Sequence, residues 1–161
     1  MHTFQRYFLA TVFTASLAGP AAAATPTGEW LVADGTARIR IEPCADALWG
    51  VIAWTQEPGK DENNPDPAKR DRSVLGMPIL LHMKQAEPNR WEGEVYNAEN
   101  GKTYASRISL VKDDVLRIEG CMLGIFCGGE NWTRVIAAVN PTDPVTTQAM
   151  PAPTDKEVCP Q

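Results

Sequence analysis

Residues 28–42, which read GEWLVADGTARIRIE, indicate the class of fold. Asp34-Gly35 in the middle of this stretch is typical of a two-residue β-hairpin turn, because both central positions of a type I′ turn need positive φ. After the turn, Arg38-Ile39-Arg40-Ile41 alternates charged and apolar side chains with a period of two, which is the period of a strand with one buried face. The stretch therefore predicts two antiparallel strands, Gly28–Ala33 and Thr36–Glu42.

Short apolar runs separated by turn residues continue along the chain, and no segment after residue 24 shows sustained helical periodicity. Many short strands with regular turn signals favour an antiparallel barrel or sandwich. A barrel is favoured because its closure removes the open edges that a sandwich leaves. Within the fourth run, Gly76 and Pro78 predict a broken or edge strand. The six further predicted strands, which bring the total to eight, are Leu48–Thr55, Val74–Met83, Arg90–Tyr96, Thr103–Val111, Val115–Gly120 and Glu130–Ala137.

The two ends of the chain have a different composition from this region. Residues 1–24 combine Arg6, an apolar run of 13 residues (Tyr7–Gly19) and the small residues Ala21–Ala24, which predicts a secretory signal peptide. A run of this length is too short for a spanning helix, which needs about 20 residues. We therefore predict an exported protein, periplasmic or secreted, with no membrane span after cleavage. Residues 138–161 contain five prolines, which predicts a flexible tail and leaves residues 25–137 for the barrel.

All four cysteines lie beyond the predicted signal peptide. An even number of cysteines in an exported chain favours disulfides. Four cysteines allow three pairings; Cys121 and Cys127 enclose only five residues, and Cys44 with Cys159 would then tie the tail to the body. A structural zinc site would show a closer cysteine pair or several histidines, but only His82 remains after residue 24. We therefore expect disulfides and no metal.

Two short motifs with complementary side chains lie in the first and last predicted strands. Gly28-Glu29-Trp30 opens the first, and Trp132-Thr133-Arg134 lies in the last. These strands are neighbours in a closed barrel, and a guanidinium over an indole face contributes about 0.5–2 kcal/mol. The arrangement resembles that of lipocalins and the wider calycin group, in which the Trp closes the barrel and the late Arg packs across its ring. Gly28, Trp30 and Arg134 are thus the predicted closure residues.

Taken together, the motifs between Gly28 and Val135 resemble one bacterial family, the exported proteins grouped as domain of unknown function family 2147. The resemblance implies a small, exported, lipocalin-like β-barrel that is a candidate for holding an apolar ligand. Relatives of this type often carry a second Cys near Trp49, so its absence here makes Cys159 the expected partner of Cys44. The residues that carry the resemblance are Gly28-Glu29-Trp30, Ile39–Cys44, Leu48-Trp49-Gly50, Asn64–Pro67, Arg70, Leu75-Gly76, Trp91-Glu92-Gly93, Tyr96, Gly101–Tyr104, Gly120-Cys121 and Trp132-Thr133-Arg134.

Residues 61–72, which read DENNPDPAKRDR, form the densest polar stretch. A catalytic hypothesis would make Asp61 and Asp66 an acid–base pair, with Arg70 binding an anion. The favoured hypothesis is structural: Asn64-Pro65 and Asp66-Pro67 fix turns, and Asp61 or Asp66 pairs with Arg70. No Gly-x-Ser-x-Gly, His-Glu-x-x-His or phosphate-binding glycine loop is present, and the stretch does not fit the EF-hand spacing for calcium.

The composition and net charge of the chain limit the classes of function that it can have. The chain has 161 residues, 43% of them hydrophobic, and a formal net charge of −5, which argues against a broad nucleic-acid footprint. We predict a non-enzymatic barrel without cofactor that binds a small hydrophobic molecule; the alternatives are an envelope scaffold with a packed barrel, or an enzyme using the loop from Asp61 to Arg72. The predicted lining residues are Trp49, Trp54, Met77, Trp91 and Tyr104.

Overall fold

The computed structural model describes residues 25–122, 126–136 and 158–159, without the side chains of residues 121, 122, 126 and 127. Within these ranges the chain forms eight strands, and a single 3-10 turn lies at Pro67–Lys69. The strands are β1 (Gly28–Leu31), β2 (Ala37–Cys44), β3 (Ala47–Thr55), β4 (Pro78–Glu87), β5 (Arg90–Asn97), β6 (Lys102–Lys112), β7 (Val115–Met122) and β8 (Phe126–Arg134).

Each strand pairs antiparallel with its neighbours in sequence, and β1 also pairs with β8, so that the sheet closes into a barrel. The register places Trp30 opposite Ile39 and Glu29 opposite Arg40. Trp30 and Ile39 belong to the buried core, whereas Arg40 forms an ion pair with Glu29 on the outer face. The predicted all-β, eight-stranded antiparallel barrel is confirmed, as is the face alternation on β2. The first turn is not the predicted two-residue type I′ turn: residues 32–36 separate the strands, and Gly35 has a positive φ of 75° whereas Asp34 does not.

Most predicted strand ends differ from the structure by one or two residues, and two strands, β4 and β8, differ by more. β4 begins at Pro78, the first residue of the strand, where a missing N–H costs little. It is not an edge strand, since it pairs with both β3 and β5, but its register shifts between Leu81 and Lys84, where His82 has a φ of 51°. β8 begins at Phe126 rather than Glu130, and so includes two glycines in its first half.

One end of the barrel is closed by the predicted Trp–Arg pair. The Arg134 guanidinium lies 4.1 Å from the centroid of the Trp30 ring. Its Nη1 donates to the Thr27 carbonyl over 2.7 Å and its Nε to the Asp113 carbonyl over 2.6 Å. Gly28 has a φ of +113°, and a Cβ there would lie 3.1 Å from Arg134 Nη1, so this position suits glycine. We call this the closed end.

The loops alternate between the two ends because the strands run up and down in order. The β2–β3, β4–β5 and β6–β7 turns share the closed end with residues 25–27 and 135–136. The opposite end, which we call the open end, carries the β1–β2, β3–β4, β5–β6 and β7–β8 connections. The long polar loop is the β3–β4 connection and therefore belongs to the open end.

A disulfide joins Cys44 to Cys159, with 5.4 Å between their Cα atoms, and confirms this predicted pair. It holds Val158, which is buried, in a second apolar cluster with Trp49 and Val51. This cluster lies outside the barrel, on the opposite side of the wall from the core. Cys121 and Cys127 face each other in the β7–β8 register, but their side chains lie outside the described part, as do the predicted signal peptide and all of the predicted tail except residues 158–159. Among the described residues, no helix has the length and apolar character needed to cross a membrane.

Candidate ligand site in the barrel interior

A row of small residues crosses the interior wall of the barrel from β5 to β8. Gly93 lies opposite Ser106, Ser106 opposite Gly120, and Gly120 opposite Gly128. Residues directly opposite each other share a face of the sheet. The row faces inward because Ile108 and Ile118, two residues away from it on β6 and β7, belong to the buried core.

The glycines of this row differ in how closely other atoms approach them on the inner side. A Cβ built on Gly128 has no described atom within 4 Å, and one built on Gly120 meets only Val95 Cγ1, at 3.6 Å. At Gly93 the space is filled, since a Cβ would lie 2.5 Å from the Leu81 carbonyl oxygen in the irregular part of β4. No described side chain therefore fills the space beside Gly128, which is itself exposed, while the side chains of residues 121, 122, 126 and 127 lie outside the described part.

Ser106, in the middle of the row, has a buried hydroxyl. The residue is 7% exposed, and its Oγ has no hydrogen-bond partner among the described residues. A buried polar group left without a partner costs about 1–3 kcal/mol. Since most buried polar groups in native proteins have a partner, this hydroxyl marks a position where a bound molecule can donate or accept a hydrogen bond.

Glu130 and Trp132 lie next to the row on β8. Trp132 is buried in the core, and Glu130 is two residues away on the same face, opposite Ile118. Trp132 Nε1 donates a hydrogen bond to Glu130 Oε1 over 2.5 Å, while the glutamate itself is exposed. Among the described inward-facing positions of β5 to β8, Glu130 is the one acidic residue.

The inner wall near the open end is apolar and partly exposed. Tyr104 lies opposite Val95 and is partly buried, with its hydroxyl accepting a hydrogen bond from Asn100 Nδ2 over 3.0 Å. Five partly buried apolar residues pack against the core, each in or beside the open-end part of its strand. They are Val32, Ala37, Ile52, Ile79 and Val95.

Of the predicted lining residues, two face the interior. Trp91 lies in the core opposite Ile108, and Tyr104 lies at the open end. Met77 is buried immediately before β4, where its carbonyl accepts a hydrogen bond from the Ile52 N–H over 3.1 Å.

Trp49 and Trp54 require a correction, because both lie on the outer face of β3. Trp49 packs edge-on against His82, with ring centroids 4.2 Å apart, in the outer cluster. Trp54 lies opposite Arg38, whose guanidinium is 5.2 Å from its ring. A bulge near this point leaves Ile52 opposite the core residue Ile39, so Ile52 supplies the interior contact instead.

The polar loop is organised around Asp61, which is fully buried. Its carboxylate accepts hydrogen bonds from Tyr96 Oη at 2.6 Å, Asn64 Nδ2 at 2.6 Å and Arg72 Nε at 2.9 Å. Arg72 Nη2 also lies 2.7 Å from Asp61 Oδ2. Burial by itself would raise the pKa of the Asp61 carboxyl, but these hydrogen bonds and the Arg72 charge together lower the pKa below its ordinary value.

The loop contacts differ from the predicted Asp–Arg70 pairing. Arg70 Nε donates to the Asn64 carbonyl over 2.8 Å, and Asp66 caps the 3-10 turn by accepting from the Ala68 N–H. Arg72 is the partner of Asp61 because the loop folds back on itself, with the Asp61 N–H donating to the Arg72 carbonyl over 3.0 Å. The polar residues thus fix the loop onto the outer face of β5, through Tyr96.

An eight-stranded closed barrel, with a Trp of the first strand beneath an Arg of the last and partly buried apolar residues towards the other end, defines a lipocalin-like barrel. Residues 28–134 match a family model described as "Uncharacterized protein conserved in bacteria (DUF2147)", which covers more than half of the chain. The chain belongs to this family, as its sequence motifs predict.

Among solved structures, the chain is similar to a Helicobacter pylori protein that is described as belonging to the lipocalin family. The TM-score is 0.64 at 18% sequence identity, and the match covers 71% of this chain and 85% of the other. At this identity the similarity shows the fold alone. No curated protein matches the chain with significance.

Proposed function

We propose that this protein is an exported, non-enzymatic barrel that binds one small apolar or amphipathic molecule in its interior. The observation that carries the proposal is the inward-facing row Ser106, Gly120 and Gly128, in which a buried hydroxyl has no partner among the described residues and no described atom lies within 4 Å of a Cβ built on Gly128.

The physical argument rests on what an eight-stranded barrel can hold. Its interior is just wide enough to be filled by side chains or to hold one small ligand. Here the closed end is filled, since Trp30, Ile41 and Leu116 are fully buried. Towards the open end, Gly120 and Gly128 carry no side chain, and among the described residues none takes the place beside Gly128, which supports room for a ligand there.

Export is supported by the disulfide between Cys44 and Cys159 and by the apolar, alanine-rich start of the sequence. Disulfides persist in oxidising compartments such as the bacterial periplasm.

The polar loop supports the non-enzymatic part of the proposal. A general acid or base needs access to substrate and a pKa near the working pH. Asp61 is buried, receives hydrogen bonds from three side chains, and has a lowered pKa. These properties suit a residue that holds a loop in place.

The test is a titration of the purified protein with the uncharged hydrophobic dye N-phenyl-1-naphthylamine and with dodecanol, followed by tryptophan fluorescence. We expect saturable changes, because Trp91 and Trp132 lie in the core beside the site. Gly128→Leu should fill the space and weaken binding at least about tenfold, which corresponds to about 1.4 kcal/mol.

Thr133→Leu is the matched control, since Thr133 is exposed on the outer face of the same strand. It adds a similar side chain without entering the interior and should leave binding unchanged. If the unmodified protein shows no saturable change with either probe, the interior is filled and the proposal is wrong.

A further inference from the structure

The described part of the inner wall around Gly128 carries polar groups on two sides. Ser106 lies two strands away from Gly128 in the same row, and Glu130 is two residues from Gly128 along β8. Two strand spacings of about 4.8 Å put the Cα of Ser106 about 10 Å from that of Gly128, and two residues along β8 put Glu130 about 7 Å from it on a different side. A single hydroxyl or ammonium group therefore reaches one of these two polar side chains at a time.

These groups differ in what they offer to a ligand. The Ser106 hydroxyl is both a donor and an acceptor, and its Oγ is unpartnered among the described residues. The Glu130 carboxylate has only acceptors when ionised, and Trp132 Nε1 uses one of them. The remaining acceptors of Glu130 favour a hydrogen-bond donor or a positive charge, and repel a second carboxylate.

Basic side chains do not offset this negative charge within the described part of the inner wall from β5 to β8. Arg134 lies at the closed end, where it donates to backbone carbonyls of Thr25, Thr27 and Asp113. Lys102 is exposed at the start of β6, at the rim of the open end and beyond Tyr104. A carboxylate placed beside Gly128 would therefore meet Glu130 without a neighbouring cation.

We infer that the barrel takes an amphipathic ligand whose polar end is a hydrogen-bond donor, either neutral or cationic, with Ser106 as the contact of a hydroxyl group and Glu130 as the contact of an ammonium group on the inner wall. The ligand class is a long-chain alcohol or amine rather than a fatty acid. This inference rests on the proposed function, because it assigns a chemical class to the molecule held in the interior.

The test compares three probes of equal chain length, dodecanol, dodecylamine and dodecanoate, each displacing the bound dye at neutral pH and below its micelle concentration. We expect the alcohol and the amine to bind at least about tenfold more tightly than dodecanoate. Glu130→Gln keeps an acceptor for Trp132 while it removes the charge. It should therefore weaken the binding of dodecylamine and strengthen the binding of dodecanoate. Ser106→Ala should weaken dodecanol about threefold to tenfold, the range expected for one hydrogen bond.

Glu94→Gln provides the matched control, since Glu94 is an exposed acid on the outer face of β5. It makes the same charge change outside the barrel and should leave the order of the three probes unchanged. If Glu94→Gln shifts the probes as much as Glu130→Gln does, the selectivity comes from net charge and the inference is wrong.

The remaining outcomes separate the two proposals. If dodecanoate binds as tightly as the alcohol, or more tightly, the barrel is a binding protein but the inferred ligand class is wrong; a carboxylate held by Lys102 at the rim would give this result. If none of the three probes displaces the dye and the dye itself does not bind, the proposed function fails together with the inference.

Discussion

The outer face of the barrel and its interior differ in how their buried polar groups are hydrogen-bonded. On the outer face, Asp61 is fully buried and receives hydrogen bonds from Tyr96, Asn64 and Arg72. In the interior, Ser106 is almost as deeply buried, and its hydroxyl has no partner among the described residues. A satisfied buried group stabilises a fold, whereas an unsatisfied one costs free energy unless a ligand or water completes it. The comparison therefore separates a structural site from a binding site.

The same division applies to the apolar side chains. Outside the barrel, Trp49 is covered by Val158 and the disulfide, and Tyr96 is covered by the polar loop. Inside, Gly120 and Gly128 carry no side chain, and no described atom lies within 4 Å of a Cβ built on Gly128. Chain segments added around the barrel thus bury its outer wall, while no described side chain covers Gly128 on the inner wall.

The largest expected effect comes from breaking the satisfied site. Asp61→Ala leaves Arg72, Asn64 and Tyr96 without their shared acceptor, and removing one partner of a buried ion pair costs about 3–5 kcal/mol. Chemical denaturation should show this loss in the free energy of unfolding. The affinity for the dye should remain unchanged under conditions where the variant is folded, because Asp61 lies outside the barrel.

Asp71→Ala is the control for this change. Asp71 pairs with Lys60 on the surface, with both side chains more than half exposed. Exposed pairs contribute about 0–1 kcal/mol, so this variant should unfold almost like the original protein. Equal losses for the two variants would mean that Asp61 is not the centre of the loop.

The next effect concerns the covering of Trp49. Replacing both Cys44 and Cys159 by Ser removes a crosslink that spans 115 residues of sequence. Loss of a native disulfide from a small secreted domain typically costs 2–5 kcal/mol, and we expect about 2–4 kcal/mol here. Release of Val158 should also expose Trp49 and shift tryptophan emission to the red.

Ligand affinity should again be unaffected by a change on the outer face. Val158 and Trp49 are on the outside of the wall, so the disulfide variant should bind the dye as before. Weaker binding in the folded variant would show that the covering segment also shapes the interior.

The pH dependence of stability gives a smaller, directional test. Hydrogen bonds and the Arg72 charge lower the pKa of Asp61 in the folded state despite its burial. A lowered folded pKa means that the stabilisation is fully present above the unfolded pKa and is lost as the pH falls through the folded pKa. Each pKa unit of lowering corresponds to about 1.4 kcal/mol.

Asp61→Asn isolates this contribution from that of the other acidic residues. Unfolding measured from pH 7 down into the acid range should show a gentler loss of stability for Asp61→Asn than for the original protein. Parallel curves would contradict the ionised, hydrogen-bonded state of Asp61.

The sequence predicts the strands and the closure of the barrel well, because both depend on local sequence patterns. Asp34-Gly35 and the alternating residues after it indicate the first hairpin, and Trp30 with Arg134 indicates which strands meet. These features need only the chemistry of a turn, the period of a strand and one pair of complementary side chains.

The side-chain orientation on β3 could not be predicted in this way. β3 is apolar on both faces because Val158, more than 100 residues later, covers its outer side. An apolar run therefore does not reveal which tryptophans face inward, and a bulge beside Ile52 changes the alternation again. Arg72 was missed for a related reason, since the fold of the loop, rather than its sequence spacing, brings it to Asp61.

The glycines of the candidate site were missed because a pair of glycines near Cys127 is more typical of a turn than of a strand. One signal was available in β7, where Gly120 follows Ile118 at the strand period and so shares its face. Its meaning depends on the register with Gly128 and Ser106, which only the structure gives. Long-range pairing thus determines the site, while local patterns determine the barrel.

The smallest expected effect provides the sharpest contrast with Asp61. Ser106→Ala removes a buried hydroxyl that lacks a partner, so the desolvation cost of that group disappears along with it. We expect the free energy of unfolding to stay the same or to rise by up to about 1 kcal/mol, measured by denaturation without ligand. Ser109→Ala, on the outward-facing side of the same strand, is the control for the loss of a serine. A loss of more than about 1 kcal/mol on Ser106→Ala alone would mean that the hydroxyl is already satisfied in the free protein, for example by a buried water. The buried polar group of the interior would then be satisfied like that of the outer face. The proposal of a binding site would depend only on the absence of described atoms beside Gly128.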